Sequence, residues 1–239
     1  MKRISSFLLM STCVVLLPIL ADAQVSLPWS EGFENIGSTT TYTSSTSSIN
    51  GISGVSYTTS SGGRLRFKAG SGYYKTGSAA ATMDRSPSGS FVQNYLELTI
   101  DLSNYSSSNM ELSFSWMDHG DERHTNDKVW IRGSNSSSWI VAYDWGALAS
   151  SVNATWTDVS GIDIDALLSA NSQSPSSTFQ IRFGQYDNFP STSTGGSDGL
   201  TVDDISIVEI VPNNGTITSI EPFCAGTSDV NVVLENPGA

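Results

Sequence analysis

Residues 110–134 read MELSFSWMDHGDERHTNDKVWIRGS. Leu112, Phe114 and Trp116 alternate with Glu111, Ser113 and Ser115, and further on Val129 and Ile131 alternate with Lys128, Trp130 and Arg132. Successive side chains leave a strand on opposite faces, so period-two alternation marks two half-buried strands. Between them, residues 118–127 are polar and charged and carry both histidines of the chain, His119 and His124. That connection is too long for a tight hairpin turn. Two core strands joined by a chemically loaded loop set the pattern the other segments must fit.

Working outward, residues 27–34 read as an opening edge strand, because Pro28 cannot donate to a ladder and belongs at a strand start or an edge. Residues 37–63 are rich in Ser, Thr and Gly, yet Ile49, Ile52, Val55 and Tyr57 indicate that part of this stretch packs. Strands are expected over residues 64–68, within 73–83 where Ala79, Ala80 and Ala81 suit a tightly packed position, and over 91–102 with Leu96, Leu98, Ile100 and Leu102 on one face. Residues 138–144 set Trp139, Val141 and Tyr143 opposite Ile140 and Ala142. Residues 156–168 start as a strand and end in one short helix capped by Asp163 or Asp165. Phe179, Ile181 and Phe183 are the inward set of another strand, and residues 200–208 form the last. Roughly nine or ten strands over about 185 residues make an ordinary single all-β domain. The expected fold is a jelly-roll β-sandwich over residues 24–210.

The ends of the chain differ in character. Residues 1–23 read as a secretory signal peptide: basic Lys2 and Arg3, a mostly apolar run over 7–20, and the small-x-small site Ala21-Asp22-Ala23. The apolar run is short of the roughly 20 residues a membrane span needs. Removing Lys2, Arg3 and Asp22 moves the formal charge from −12 to −13. A chain this acidic is a poor binder of phosphate backbones, which excludes nucleic acid as a partner, and it is rich in carboxylates that suit hard cations such as calcium. Cys224 would be the sole cysteine left after cleavage, so no disulfide can form within the mature chain. Residues 211–216, with Pro212, Asn213, Asn214 and Gly215, read as a linker. Residues 217–239 read as the start of a second β domain, truncated because it is smaller than the roughly 40 residues an independent domain needs. The expectation is the N-terminal part of a larger secreted or cell-surface protein.

The runs DKVWIRGSN (residues 127–135), FQIRFGQYDNFP (179–190) and DGLTVDDISI (198–207) resemble the MAM-like and cleaved-adhesin jelly-roll domains of secreted Bacteroidetes surface proteins. The opening Glu31-Gly32-Phe33-Glu34 is similar to the acidic start of such domains. Residues 219–227, SIEPFCAGT, resemble the start of an immunoglobulin-like module often placed after them. The resemblance implies adhesion or glycan binding, export by the type IX secretion route, and often bound calcium.

Three constellations are candidates for chemistry. If the first and last strands lie side by side, Glu31 or Glu34 meets Asp203 or Asp204 and offers oxygen ligands to calcium. Simple alternation puts Asp203 on the face of Ile205 and Ile207, where an unpaired carboxylate is costly. The second is the 118–124 run, DHGDERH. Its spacing matches no metal motif, and it reads as a polar loop in which Arg123 and Lys128 offset nearby acids. The third is the outward set of the sheet, Ser113, Ser115, Trp130, Arg132, Gln180 and Arg182. Within it Trp130, Arg132, Gln180 and Arg182 can form a patch of donors around an aromatic plate for a sugar ring, unless another layer covers that face. No nucleophile elbow, phosphate-binding loop or dinucleotide fingerprint occurs. The expected function is a noncatalytic extracellular adhesion or glycan-binding module, stabilised by calcium, with an extracellular glycan or protein ligand as partner. The alternative is an accessory domain of a secreted hydrolase whose catalytic part lies elsewhere.

Overall fold

Twelve strands, one α-helix and one short 3-10 turn (Ser103–Tyr105) follow one another in a computed structural model that describes residues 25–36, 40–106, 108–120, 122–148, 154–192 and 198–211. The signal-peptide, linker and immunoglobulin-like readings lie outside the described residues, apart from Val211 at the linker's start. In chain order the strands are β1 (Trp29–Glu31), β2 (Thr40–Tyr42), β3 (Val55–Thr59), β4 (Gly63–Phe67), β5 (Ala81–Arg85), β6 (Val92–Ile100), β7 (Met110–Asp118), β8 (Lys128–Arg132), β9 (Ile140–Asp144), β10 (Trp156–Asp163), β11 (Phe179–Asp187) and β12 (Leu200–Glu209). The helix α1 (Ile164–Ala170) follows β10 directly, and Asp163 is its N-cap, accepting from the Ala166 amide at 2.8 Å.

The strands form two sheets. One runs β10-β7-β12-β5-β4-β2 with β1 also on β12, and the other runs β3-β6-β11-β8-β9. From β5 onward the chain passes from sheet to sheet, the β8–β9 hairpin excepted. It leaves the inner orders β5-β12-β7-β10 and β6-β11-β8-β9, which is the strand order of a jelly roll. The protein is therefore an all-β jelly-roll sandwich. No helix among the described residues is long and apolar enough to cross a membrane.

The two strands flanking residues 118–127 belong to opposite sheets. Leu112, Phe114 and Trp116 of β7 and Val129 and Ile131 of β8 face one another across the core, all buried. Phe183 of β11 meets Phe114 edge-on at 5.3 Å, and Trp145, fully buried, stacks on Phe183 at 6.3 Å and lies 5.5 Å from Trp116. Full burial of each such side chain contributes about 1.5–3 kcal/mol. The 37–63 stretch packs where its apolar residues promised: Ile49, Val55 and Tyr57 are buried. In β9 the alternation fails. Ile140 is buried and Val141 exposed, but Tyr143 and Ala142 both pack on the core, because the pairing with β8 shifts register between Val129 and Trp130.

Strand β12 also departs from simple alternation. One of its edges is shared end to end: Leu200–Val202 pair with β5, and Ile205–Ile207 pair with β1. Where the partner changes, the pairing with β7 slips between Asp203 and Ser206, and Asp204 takes φ 48°. The bulge inverts the facing, so that Val202 and Ile205, three residues apart, both enter the core. Asp203 consequently lies on the outer face of its sheet. The expected inward placement beside Ile205 is corrected by this one extra residue.

Candidate functional site

The outer faces of the two sheets have different fates. On the seven-stranded sheet, Thr82, Asp84, Thr201 and Asp203 are all fully buried beneath the segments before β5 and before β12. Asp84 receives Arg64 Nε at 2.7 Å and Arg64 and Arg66 terminal nitrogens at 2.6 and 2.9 Å, together with the Ser191 amide and hydroxyl. His119 lies under the same cover, with Nδ1 2.8 Å from the Thr192 carbonyl and Nε2 2.7 Å from the Thr201 hydroxyl. Burial pulls its pKa down to about 4, so the ring is neutral at pH 7. Arg123 pairs with Asp118 at 2.7 Å and Lys128 with Asp144 at 3.0 Å. Arg123 thus offsets Asp118 within the 118–127 stretch and Lys128 offsets Asp144 at the end of β9, and among the described residues no three His, Cys, Asp or Glu side chains gather for a metal.

The four expected calcium carboxylates sit around the junction of β1, β5 and β12, joined by the 75–79 segment. Asp203 Oδ2 accepts the Lys75 amide at 2.8 Å and the Thr76 amide at 3.3 Å, and Oδ1 accepts the Asp204 amide at 2.8 Å. Asp204 accepts the Thr76 hydroxyl at 2.5 Å. Glu34 is bound two residues on, by the Ser78 and Ala79 amides at 2.9 and 3.0 Å, which helps hold its carboxyl below the usual range. Glu31 turns back on the Phe33 amide at 2.5 Å. Asp203 and Asp204 are thus adjacent, while Glu31 and Glu34 are each satisfied separately. Asp203 is fully buried with no cationic side chain paired to it among the described residues, and burial pushes its pKa up to about 6. The two aspartates lie side by side, with both Asp203 oxygens already accepting backbone amides. Glu31 and Glu34 each accept different donors, the Phe33 amide for the first and the Ser78 and Ala79 amides for the second.

The five-stranded sheet keeps its outer face partly open. Strands β8 and β11 are neighbours, with Arg132 opposite Gln180 and Trp130 opposite Arg182, so the four expected ligand-binding residues share one face. Arg132 Nε donates to Gln180 Oε1 at 2.6 Å, Gln180 passes the chain on to the Thr99 hydroxyl at 2.8 Å, and Arg182 pairs with Glu97 at 2.6 Å. The aromatic plate differs from the one expected. Trp139, in the β8–β9 connection, lies over both guanidiniums, 4.1 Å from Arg132 and 4.0 Å from Arg182. Tyr95 takes Arg182 on its own face at 4.5 Å, and Trp130 meets Tyr95 edge-on at 6.0 Å. Trp130 is half-buried and covers Gly184, where a Cβ would stand 2.5 Å from its ring. Trp139, Tyr95 and Glu97 are the partners that strand alternation in β8 and β11 alone does not reveal. For Trp139, the second tryptophan within ten residues of Trp130 is the available signal.

The fold and this face define a jelly-roll sandwich with one polar, loop-covered sheet and one open sheet carrying aromatic rings interleaved with arginines. No protein-family model matches the chain, and no curated protein matches it. Among solved structures it is similar to the K1 cleaved adhesin domain of Lys-gingipain from Porphyromonas gingivalis, with 15% identity and a TM-score of 0.38 over 76% of this chain and 98% of that one. It is similar also to a family 30 carbohydrate-binding module of a Clostridium thermocellum cellulosomal cellulase, with 14% identity and a TM-score of 0.40 over 76% and 90%. A family 11 module from the same organism gives 11% and 0.40 over 77% and 97%. The strand orders, and not these likenesses, define the fold.

Proposed function

We propose that the chain is a noncatalytic extracellular module that binds a glycan on the outer face of the five-stranded sheet. The observation that carries this reading is Trp139 stacked across Arg132 and Arg182, with Gln180, Glu97 and Thr99 around them. An indole offers an apolar surface to the C–H face of a sugar ring, and the surrounding polar groups offer hydrogen bonds to hydroxyls at its edge. Arg132 has no carboxylate at salt-bridge distance among the described residues, and burial lowers its pKa. An acidic sugar would supply the missing charge, on a protein otherwise strongly acidic. Extracellular placement is supported by the leader-like residues 1–23, and calcium by the buried Asp203 beside Asp204, with no cationic side chain paired to Asp203 among the described residues.

A glycan array probed with wild type, Trp139→Ala and Arg132→Ala tests this. Wild type is expected to retain glycans that include uronic or sialic acids. Trp139→Ala is expected to lose binding broadly, and Arg132→Ala to lose the acidic ligands first, with circular dichroism unchanged for both. A wild type that retains no glycan, or variants that bind as wild type does, overturns the reading.

A further inference from the structure

The outer face of the five-stranded sheet carries more aromatic rings than the Trp139 site uses. Along β11, Gln180, Arg182, Gly184 and Tyr186 alternate with the core residues Phe179, Ile181 and Phe183 and so stand on that face. They pair with Thr99, Glu97, Tyr95 and Gln93 of β6, which makes the face a ladder of paired rows. A strand rises about 3.4 Å per residue, so the rows lie about 7 Å apart and the ladder runs about 20 Å from Gln180 to Tyr186. Rings follow it from end to end. Trp139 covers the first two rows through the guanidiniums of Arg132 and Arg182. Trp130 lies over Gly184 and meets Tyr95 edge-on. At the last row Tyr186 is stacked on Phe91, 5.0 Å away and nearly parallel at 9°.

This last station is assembled from three segments. Phe91 immediately precedes β6, Tyr186 is near the end of β11, and His124 comes from the β7–β8 connection to hold both rings edge-on, at 4.8 and 5.1 Å. Phe91 is thus fixed on two sides, yet it keeps 37% of its surface exposed. Charge is graded along the ladder. Both arginines stand at the Trp139 end, Lys128 in the row of Gly184 is paired with Asp144 at 3.0 Å, and the last row offers bare rings. The occupant of such a face is extended, repeats an apolar surface with polar edges, and carries its anion at one end. A single sugar, no wider than the indole beneath it, covers one station. A peptide strand finds no free ladder here, because β6, β11 and β8 already pair with neighbours on both sides.

We propose, resting on the glycan reading above, that the ligand is an extended oligosaccharide laid along β11. Its acidic sugar sits on Trp139 and its neutral sugars run over Trp130 to the Tyr186–Phe91 pair.

The test uses the disaccharide, tetrasaccharide and hexasaccharide cut from the polysaccharide that the array retains most tightly. Calorimetry is expected to show the hexasaccharide binding wild type about tenfold more tightly than the disaccharide. Phe91→Ala is expected to remove that gain, and Trp139→Ala to weaken every length. In wild type, the disaccharide is expected to shift the Trp139 indole resonance alone, and the hexasaccharide to shift the Tyr186 and His124 ring resonances as well. These spectra need no variant, should Phe91→Ala fail to fold. Equal affinity for all three lengths, a gain that Phe91→Ala keeps, or Tyr186 and His124 resonances unmoved by the hexasaccharide overturns the extended site and leaves the glycan reading standing on Trp139. A wild type that retains no glycan on the array overturns both.

Discussion

At the scale of single residues, the molecule concentrates its polar risk in a few buried groups whose partners are specific. Asp84 is fully buried and serves two arginines and both donors of Ser191. Asp84→Ala would leave two guanidiniums facing a void, and breaking a buried pair from one side costs about 3–5 kcal/mol. Chemical denaturation should show a loss of that order, and a loss below about 1 kcal/mol would mean the arginines find water instead. Two further buried groups give opposite pH signatures. His119 has its pKa depressed to about 4, so it must take up a proton late, and stability falls as pH drops from about 6.5 through 4. Asp127 is buried against the His124 and Tyr186 amides, and desolvation raises its pKa to about 7. Its stabilising contribution is therefore complete below the unfolded value near 3.8 and lost as pH rises through 7. NMR titration should place the His119 midpoint near 4. Denaturation across pH 4–8 should show the wild-type advantage over Asp127→Asn shrinking as pH rises.

At the scale of elements, alternation made most strands and their inward faces legible, because each strand buries one face and the period of two survives in the residue types. Leu112, Phe114, Trp116, Val129, Ile131, Phe179, Ile181 and Phe183 are all core, as their spacing predicts. Alternation says which residues face inward and nothing about partners, so it could not show that β7 and β8 lie in opposite sheets. It also fails wherever a bulge inserts a residue, as at Asp203–Asp204 and in β9, since a bulge is made by backbone pairing and leaves no mark in hydrophobicity. The binding face was half legible for a related reason. Arg132 and Arg182 follow from strand parity, whereas Trp139 reaches them from a connection whose path parity does not describe. Gly184 gives this level its prediction. It sits mid-strand in β11 without positive φ, so its service is space: Trp130 and the Asn126 carbonyl approach within 2.5 and 3.1 Å of a Cβ position. Gly184→Ala should push Trp130 off Tyr95, costing about 1–3 kcal/mol by overpacking, and should perturb any ligand bound on that face. Unchanged tryptophan fluorescence and unchanged melting would show the ring has room to move.

At the scale of the whole molecule, what closes the sandwich is the meeting of its first and last strands, and there the chain leaves charge unbalanced. β12 holds β1 and β5 on one edge, and the gap between them is filled by Asp203, Asp204 and the 75–79 segment. Asp203 has three amide donors, no cationic side chain paired to it among the described residues, and a burial that makes ionisation unfavourable. A cation bound to the folded chain alone, at 100 times its dissociation constant, would add about 2.7 kcal/mol. For a domain of this size each kcal/mol moves the melting temperature by about 2–4 °C. Scanning calorimetry of wild type and Asp203→Asn, each with calcium and with chelator, is therefore expected to show a calcium-dependent rise of roughly 5–10 °C in wild type. In chelator, Asp203→Asn should melt below wild type, because its buried NH2 group meets backbone N–H donors where a carboxylate oxygen accepted them. The part of the calcium response that belongs to this junction should vanish in the variant. Any rise that remains must come from elsewhere in the fold. Wild type that melts at the same temperature with calcium and with chelator would remove calcium from the account of how this sandwich is closed.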